Sequence, residues 1–328
     1  MTRPAVFVAR RMFPDVVERL RAAFEVRTHE GDAPLSQPML IAALQACAGA
    51  FVTGTESIDA TLLDACPDLK AVCTMAVGYN NIDVPACTAR GVLVTNAPGV
   101  LTETTADFGF ALMMATARRI SEGERFLREG RWQHWGVDMF AGSDVHGATL
   151  GILGMGRIGQ AIARRGCFGF DMPVVYHNRS RLDAEAESAL SARWLTLDDL
   201  LRTADHLVVV TPYTRETHHL VGAAQLALMK PGATLTNIAR GGVVDDAALA
   251  QALAQGRLAA AGLDVFEGEP AVHPDLLALR NVVLTPHIAS ASLPTRRAMA
   301  NLAADNLLAV LRGGQPLTPL NPEVLARS

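Results

Sequence analysis

The chain's 328 residues, half of them hydrophobic and 19% charged, have a globular composition and enough length for two domains, which excludes intrinsic disorder. A net charge of −4 gives no support to nucleic-acid binding, which usually needs a basic face, although it leaves room for local basic patches. The longest strongly apolar stretch, residues 108–117, is half of the roughly 20 residues a membrane-spanning helix requires, so no membrane partner is expected.

The predicted elements alternate short β-type runs with helical ones, the pattern of parallel sheets covered by helices. The first strands are expected at 6–10, 50–53, 71–74 and 92–95, with helices at 15–23, 37–46 and 59–65 between them. The residues before the first strand lack the pattern of a signal peptide. Cysteines stand at 47, 66, 73, 87 and 167, an odd number with no two-residue spacing, and read as reduced packing residues of a cytoplasmic protein. A long helix follows at 103–119, with Thr102 as its N-cap, and then an irregular stretch at 130–147. A second set of strands is expected at 149–153, 173–177, 207–211, 234–237, 262–266 and 282–285. Helices at 160–167, 197–203, 223–229 and 246–255 separate them, and a last helix spans 295–312. The fold class is therefore α/β.

Gly154-Met155-Gly156-Arg157-Ile158-Gly159 places G-x-G-x-x-G directly after an apolar strand and at the start of a helix, the context a dinucleotide-binding fingerprint requires. Gly154 permits the tight turn, Gly156 lets a pyrophosphate approach the backbone, and Gly159 allows the helix to pack closely on the strand. An NAD-binding unit usually carries an acid about 20 residues further on, for the ribose 2′-hydroxyl. Here Asn178-Arg179-Ser180-Arg181 ends the next strand. Two guanidinium groups and a hydroxyl suit a 2′-phosphate, so NADPH is preferred as cofactor, with NADH also admissible.

Three segments just beyond predicted strands carry groups suited to chemistry: Asn237 to Gly242 with Arg240, Gly262 to Pro270 with Asp264 and Glu269, and Thr285 to Ser290 with His287. Taken together, the run 239–270 followed by Pro286-His287 resembles the signature of the D-isomer-specific 2-hydroxyacid dehydrogenases. Val77-Gly78-Tyr79-Asn80-Asn81-Ile82-Asp83 and Thr95-Asn96-Ala97-Pro98-Gly99 are similar to that family's substrate-loop and hinge patterns, so the resemblance covers nearly the whole chain. Within the family the sequence is most similar to glyoxylate/hydroxypyruvate reductases, including enzymes that reduce 2-ketogluconate.

The resemblance implies roles. Arg240 would bind the substrate carboxylate, His287 would protonate the ketone oxygen as hydride arrives, and Glu269 would orient the imidazole and favour its protonated form. Val77 and Gly78 would offer backbone N–H groups to the carboxylate. Thr211, Pro212, Thr217, Ile238 and Ala239 would line the cofactor, and Asp264 would hold its carboxamide side. Ala289 stands where many relatives have glycine.

The family implies two doubly wound parallel-sheet domains: a flavodoxin-like substrate domain (1–99 plus 289–328) and a Rossmann dinucleotide domain (100–288). Closure of the cleft between them would expel water. It also implies a homodimer built on the 103–119 helix, with Trp135 a candidate to reach a partner's site or simply to pack. An alternative is a dinucleotide-sensing, corepressor-like binding protein, but the co-occurrence of Arg240, Glu269 and His287 favours catalysis. His218 and His219 have no metal-ligand partner at helical spacing and read as surface residues, and no metal is expected.

Overall fold

The computed structural model describes residues 3–327. The chain forms two compact units, one from the segment up to Leu101 together with that from Ser292 onward, the other Thr102–Ala291.

In the first unit β1 (Ala5–Val8), β2 (Glu25–Thr28), β3 (Gly49–Val52), β4 (Ala71–Thr74) and β5 (Leu93–Thr95) form a parallel sheet in the order β2-β1-β3-β4-β5. That is the flavodoxin-like 2-1-3-4-5 order. Every residue of β3 and β4 is buried, as expected of parallel strands covered on both faces. Short helices follow from local signals. Pro14 starts the helix Pro14–Arg21, which buries Val16, Val17 and Leu20, and the Asp59 carboxylate accepts from the Leu62 amide to cap Ala60–Ala65.

One buried charge organises the loops beyond β1 and β3. Glu56, 3% exposed, accepts from Arg10 Nε at 2.8 Å, from the Thr53 amide at 2.6 Å and from the Thr53 hydroxyl at 2.8 Å. Burial pushes this carboxyl up, but the Thr53 amide, Arg10 and the two threonine hydroxyls outweigh it and hold it below the usual range. A depressed carboxyl stabilises the fold above its unfolded pKa, and the contribution is lost as pH falls through the folded value. We expect Arg10→Met to cost about 3 kcal/mol, because it strands a buried carboxylate. In denaturant titrations of the variant, the acid-side loss of stability should also begin at higher pH than in the wild type. An unchanged midpoint at neutral pH would show that the pair holds nothing.

In the second unit β6 (Leu150–Leu153), β7 (Val174–His177), β8 (Ala192–Trp194), β9 (His206–Val209), β10 (Thr234–Asn237), β11 (Ala260–Leu263) and β12 (Val282–Leu284) form a parallel sheet. The order is β12-β11-β10-β9-β6-β7-β8. It reverses between β6 and β9, the Rossmann switch point where ligands collect beyond the strand ends.

Several sequence expectations need correction. The strands β2 and β8 are absent from the sequence reading. Both are edge strands, and Glu-Val-Arg-Thr and Ala-Arg-Trp are at most half-buried, so neither presents the apolar run that betrays a central strand. The long helix runs Thr102–Ala117, so Thr102 lies inside it and is not its cap. Arg119 then adopts a left-handed φ of 54° and starts a separate helix, Ile120–Arg128. The apolar residues of Thr102–Ala117 pack on the helix Arg157–Phe170 and on β10 and β11. Its buried apolar residues are therefore accounted for by packing within its own unit.

Candidate active site

The second unit gathers the proposed cofactor and catalytic residues on the loops beyond its strand carboxyl ends. Gly154 adopts φ +106°, and a Cβ there would lie 2.6 Å from the Thr211 amide nitrogen, so only glycine makes this turn. Gly156 differs: a Cβ on it would meet nothing within 4 Å. Its bareness serves no internal packing and leaves the space that an approaching pyrophosphate needs. The helix Arg157–Phe170 starts there with no side-chain cap, so its first N–H groups face outward with the positive end of the helix dipole. These features fit a dinucleotide phosphate.

Beyond β7 the four expected residues separate into two pairs. Asn178 Oδ1 accepts from the Met155 amide at 2.6 Å, and its carbonyl accepts from Trp194 Nε1 at 3.1 Å. Asn178 thus braces the glycine turn. Arg181 is drawn away by Glu187, with contacts of 2.8 and 2.5 Å to its two oxygens. Tyr176 donates to the same carboxylate at 2.6 Å. The hydrogen bonds from Arg181 and Tyr176 outweigh burial and hold the Glu187 carboxyl down at about 2. Arg179 and Ser180 are exposed and, among the described residues, their side chains make no hydrogen bond or ion pair. Of the two arginines expected as phosphate readers, Arg181 is engaged by Glu187 in this structure and Arg179 is not. The Glu187 carboxylate shared by Arg181 and Tyr176 went unread because the partnership depends on a fold-back six to eleven residues long.

Beyond β9, Thr217 Oγ1 donates to the Pro212 carbonyl at 2.8 Å and accepts from the Thr214 amide at 2.7 Å, which closes the loop carrying Thr211. His219 in this loop is partly exposed, and its Nε2 lies 2.8 Å from Glu267 Oε2.

Beyond β10, Ile238 and Ala239 are buried and Arg240 is partly so, its Nη1 donating to the Ala239 carbonyl at 2.8 Å. Gly241 presses on the neighbouring segment, where a Cβ would stand 1.7 Å from the Phe266 carbonyl oxygen. Only a glycine lets the arginine turn approach the Phe266–Glu269 loop so closely. Burial pushes the Arg240 guanidinium down from its usual value, and the Glu269 carboxylate opposes this.

Beyond β11 and β12, His287 Nδ1 and Glu269 Oε2 are 2.7 Å apart. Burial raises the Glu269 carboxyl, but the hydrogen bond and charge of His287, the Phe266 amide and Arg240 together leave it below its ordinary value. His287 holds a φ of +53°, an uncommon backbone state fixed by its surroundings. Those surroundings are Asp264, which is wholly buried and accepts from the Thr285 hydroxyl (2.7 Å), the Ile288 amide (2.8 Å) and the Ala289 amide (2.8 Å). Asp264 therefore does something the sequence did not suggest: it clamps both sides of the histidine. Burial raises its carboxyl, opposed by those same three donors and by His287.

The family model for the D-isomer specific 2-hydroxyacid dehydrogenase NAD binding domain matches residues 110–289. The chain belongs to the D-2-hydroxyacid dehydrogenases. It is 46% identical to the glyoxylate reductase of Thermococcus onnurineus over 98% of this chain and 97% of that one. The glyoxylate reductase of Korarchaeum cryptofilum is 47% identical at the same coverage of both chains. Among solved structures, the NADPH-dependent glyoxylate/hydroxypyruvate reductase of Sinorhizobium meliloti in complex with NADP and malonate has a TM-score of 0.85 and 40% identity, covering 97% of each chain. The dehydrogenase is thus an NAD(P)-dependent enzyme of two α/β units, and the sensing-protein alternative loses its ground. No helix among the described residues is long and apolar enough to cross a membrane.

In the first unit of the dehydrogenase, Val77 and Gly78 follow β4. Asn96 Nδ2 donates to the Val77 carbonyl at 2.8 Å, and among the described residues the amide N–H groups of Val77 and Gly78 have no hydrogen-bond acceptor.

Proposed function

We propose that the dehydrogenase reduces glyoxylate, and related 2-keto acids such as hydroxypyruvate and 2-ketogluconate, to the D-2-hydroxy acid with NADPH. The observation that carries this reading is the 2.7 Å pair of His287 and Glu269, set in the field of Arg240. Glyoxylate is the named substrate of the archaeal relatives, and the Sinorhizobium enzyme carries NADP.

When bound, the nicotinamide supplies hydride to the keto carbon. Arg240 engages the substrate carboxylate with its planar fork. Glu269 holds Nδ1 of His287, which orients the ring and leaves Nε2 to pass its proton to the ketone oxygen. Asp264 keeps the histidine loop in place, and with three of its roughly four lone-pair positions filled it retains one acceptor for the cofactor carboxamide. Arg179 and Ser180 read the 2′-phosphate.

Initial rates with glyoxylate, measured with NADPH and with NADH for wild type, Arg179→Ala and Arg181→Ala, test the reading. Arg179→Ala should lower kcat/KM for NADPH by roughly 10- to 100-fold, the worth of one charge-assisted hydrogen bond, and leave NADH unaffected. Arg181→Ala should weaken thermal stability through Glu187 and leave the cofactor ratio in place. Equal use of both cofactors by the wild type overturns the NADPH assignment. Absence of turnover with all three keto acids overturns the substrate class.

We also read the exposed Ile120, Leu127, Trp132, Trp135 and Val137 as the face of a homodimer, because water-exposed apolar side chains in such number mark association surfaces. The five free cysteines fit a reducing, cytoplasmic compartment.

A further inference from the structure

We propose that His218, His219 and Glu267 form a binding site for a divalent transition-metal ion of the zinc type. The three side chains bring one ligand atom each to within 4.8 Å of one another. They come from two loops of the second unit, the one beyond β9 and the one beyond β11, so only the folded unit assembles them. The proposal stands independently of the catalytic reading.

The surroundings resemble those of a metal site in one particular respect. Metal-ligating histidines are usually oriented by a partner on the ring nitrogen that does not bind the ion. Here the Tyr213 hydroxyl lies 3.3 Å from His218 Nδ1, and the Asp245 carboxylate lies 3.8 Å from His219 Nδ1. The Tyr213 contact engages Nδ1 of His218, and the Asp245 carboxylate faces Nδ1 of His219 beyond hydrogen-bond distance, so Nε2 of each ring is the ligand atom. His219 is further fixed through its backbone, whose N–H donates to the Gly242 carbonyl at 2.7 Å in a left-handed conformation of φ +50°.

The donor set selects the ion. Two imidazoles and one carboxylate suit zinc and its neighbours, whereas magnesium and calcium favour oxygen ligands alone. A fourth, open position would hold water. Two adjustments are required. The imidazoles stack at 3.9 Å with planes 23° apart, so the exposed His218 ring must turn to aim its lone pair at a shared ion. The 2.8 Å contact between His219 Nε2 and Glu267 Oε2 must open to about 3.3 Å, the spacing that bonds of about 2.0–2.1 Å impose in a tetrahedron. Neither step disturbs a buried group. An ion seated there would tie the loop that carries Thr211, Pro212 and Thr217 to the loop that carries Glu269.

The test uses the full chain without a polyhistidine tag, treated with chelator and titrated with Zn²⁺ by calorimetry, and with Mg²⁺ as the control. We expect one Zn²⁺ per chain, no Mg²⁺ uptake, and a Tm rise of roughly 2–6 °C at saturation. His218→Ala and Glu267→Gln should each lower zinc affinity by at least about tenfold, and Tyr213→Phe by about tenfold through its oriented histidine. His218 is exposed, so its variant should keep the wild-type fold and far-UV dichroism in the absence of metal. No saturable Zn²⁺ uptake by the wild type, undiminished affinity in both ligand variants, or equal binding of Mg²⁺ would overturn the site.

Discussion

His287→Asn should reduce kcat for keto-acid reduction by roughly two to four orders of magnitude, the usual worth of a positioned general acid, while cofactor affinity stays at the wild-type level. Asparagine is the informative replacement because it tolerates the left-handed backbone that His287 adopts at φ +53°, whereas alanine would add backbone strain to the lost proton donor. The clamp on this loop is Asp264, whose three accepted hydrogen bonds involve Thr285, Ile288 and Ala289 and do not use the imidazole. The loop should therefore survive the substitution. Glu269→Gln separates orientation from charge, since the amide can still bond Nδ1. The variant keeps a partner at the 2.7 Å contact and removes its charge, so kcat should fall while cofactor affinity holds. Wild-type kcat in His287→Asn, measured by nicotinamide absorbance at saturating glyoxylate, would remove the histidine from the mechanism.

Arg240→Lys is expected to lower kcat/KM for glyoxylate by roughly 10²- to 10³-fold, through one or two charge-assisted hydrogen bonds worth about 1.5–3 kcal/mol each. A lysine retains the charge and loses the fork, so the loss measures bidentate geometry specifically. Burial already presses on the guanidinium, which nevertheless stays protonated because its ordinary value is so high. An ammonium in the same place starts about two pH units lower and yields to the same burial more readily, so the residual activity of Arg240→Lys should fall as pH rises. The effect should fall mainly on KM if Arg240 only binds substrate, and on kcat as well if it also steadies the developing alkoxide. A lysine variant with wild-type kcat/KM across the pH range would exclude the clamp.

The chemistry-bearing residues were legible because their local context was strong. The glycine turn sits between an apolar strand and a helix, and Arg240, Asp264, Glu269 and His287 each follow a β-type run, which in a parallel sheet places them all at one end. The central strands were legible for a related reason. Buried on both faces, they read as continuous apolar runs, such as Gly-Ala-Phe-Val in β3 and Leu-Gly-Ile-Leu in β6. The helix Ala184–Ala189 went unread although Asp183 caps it by accepting from the Ala186 amide, because its six residues are too few for helical periodicity to show.

By itself, then, the sequence determined the fold class and the nucleotide-binding turn and marked the candidate reacting groups, since each of these is written in short-range patterns of hydrophobicity, glycine and strand ends. Only the tertiary structure decided how polar side chains divide among partners that lie far apart in the chain. It gave Arg181 to Glu187 and left Arg179 outward, turned Asp264 into the clamp of the histidine loop, and brought Glu267 to His219 across 48 residues. A hydrogen bond is worth forming only where both groups are brought within about 3 Å, and that distance is set by the packing of the whole sheet and not by spacing along the chain.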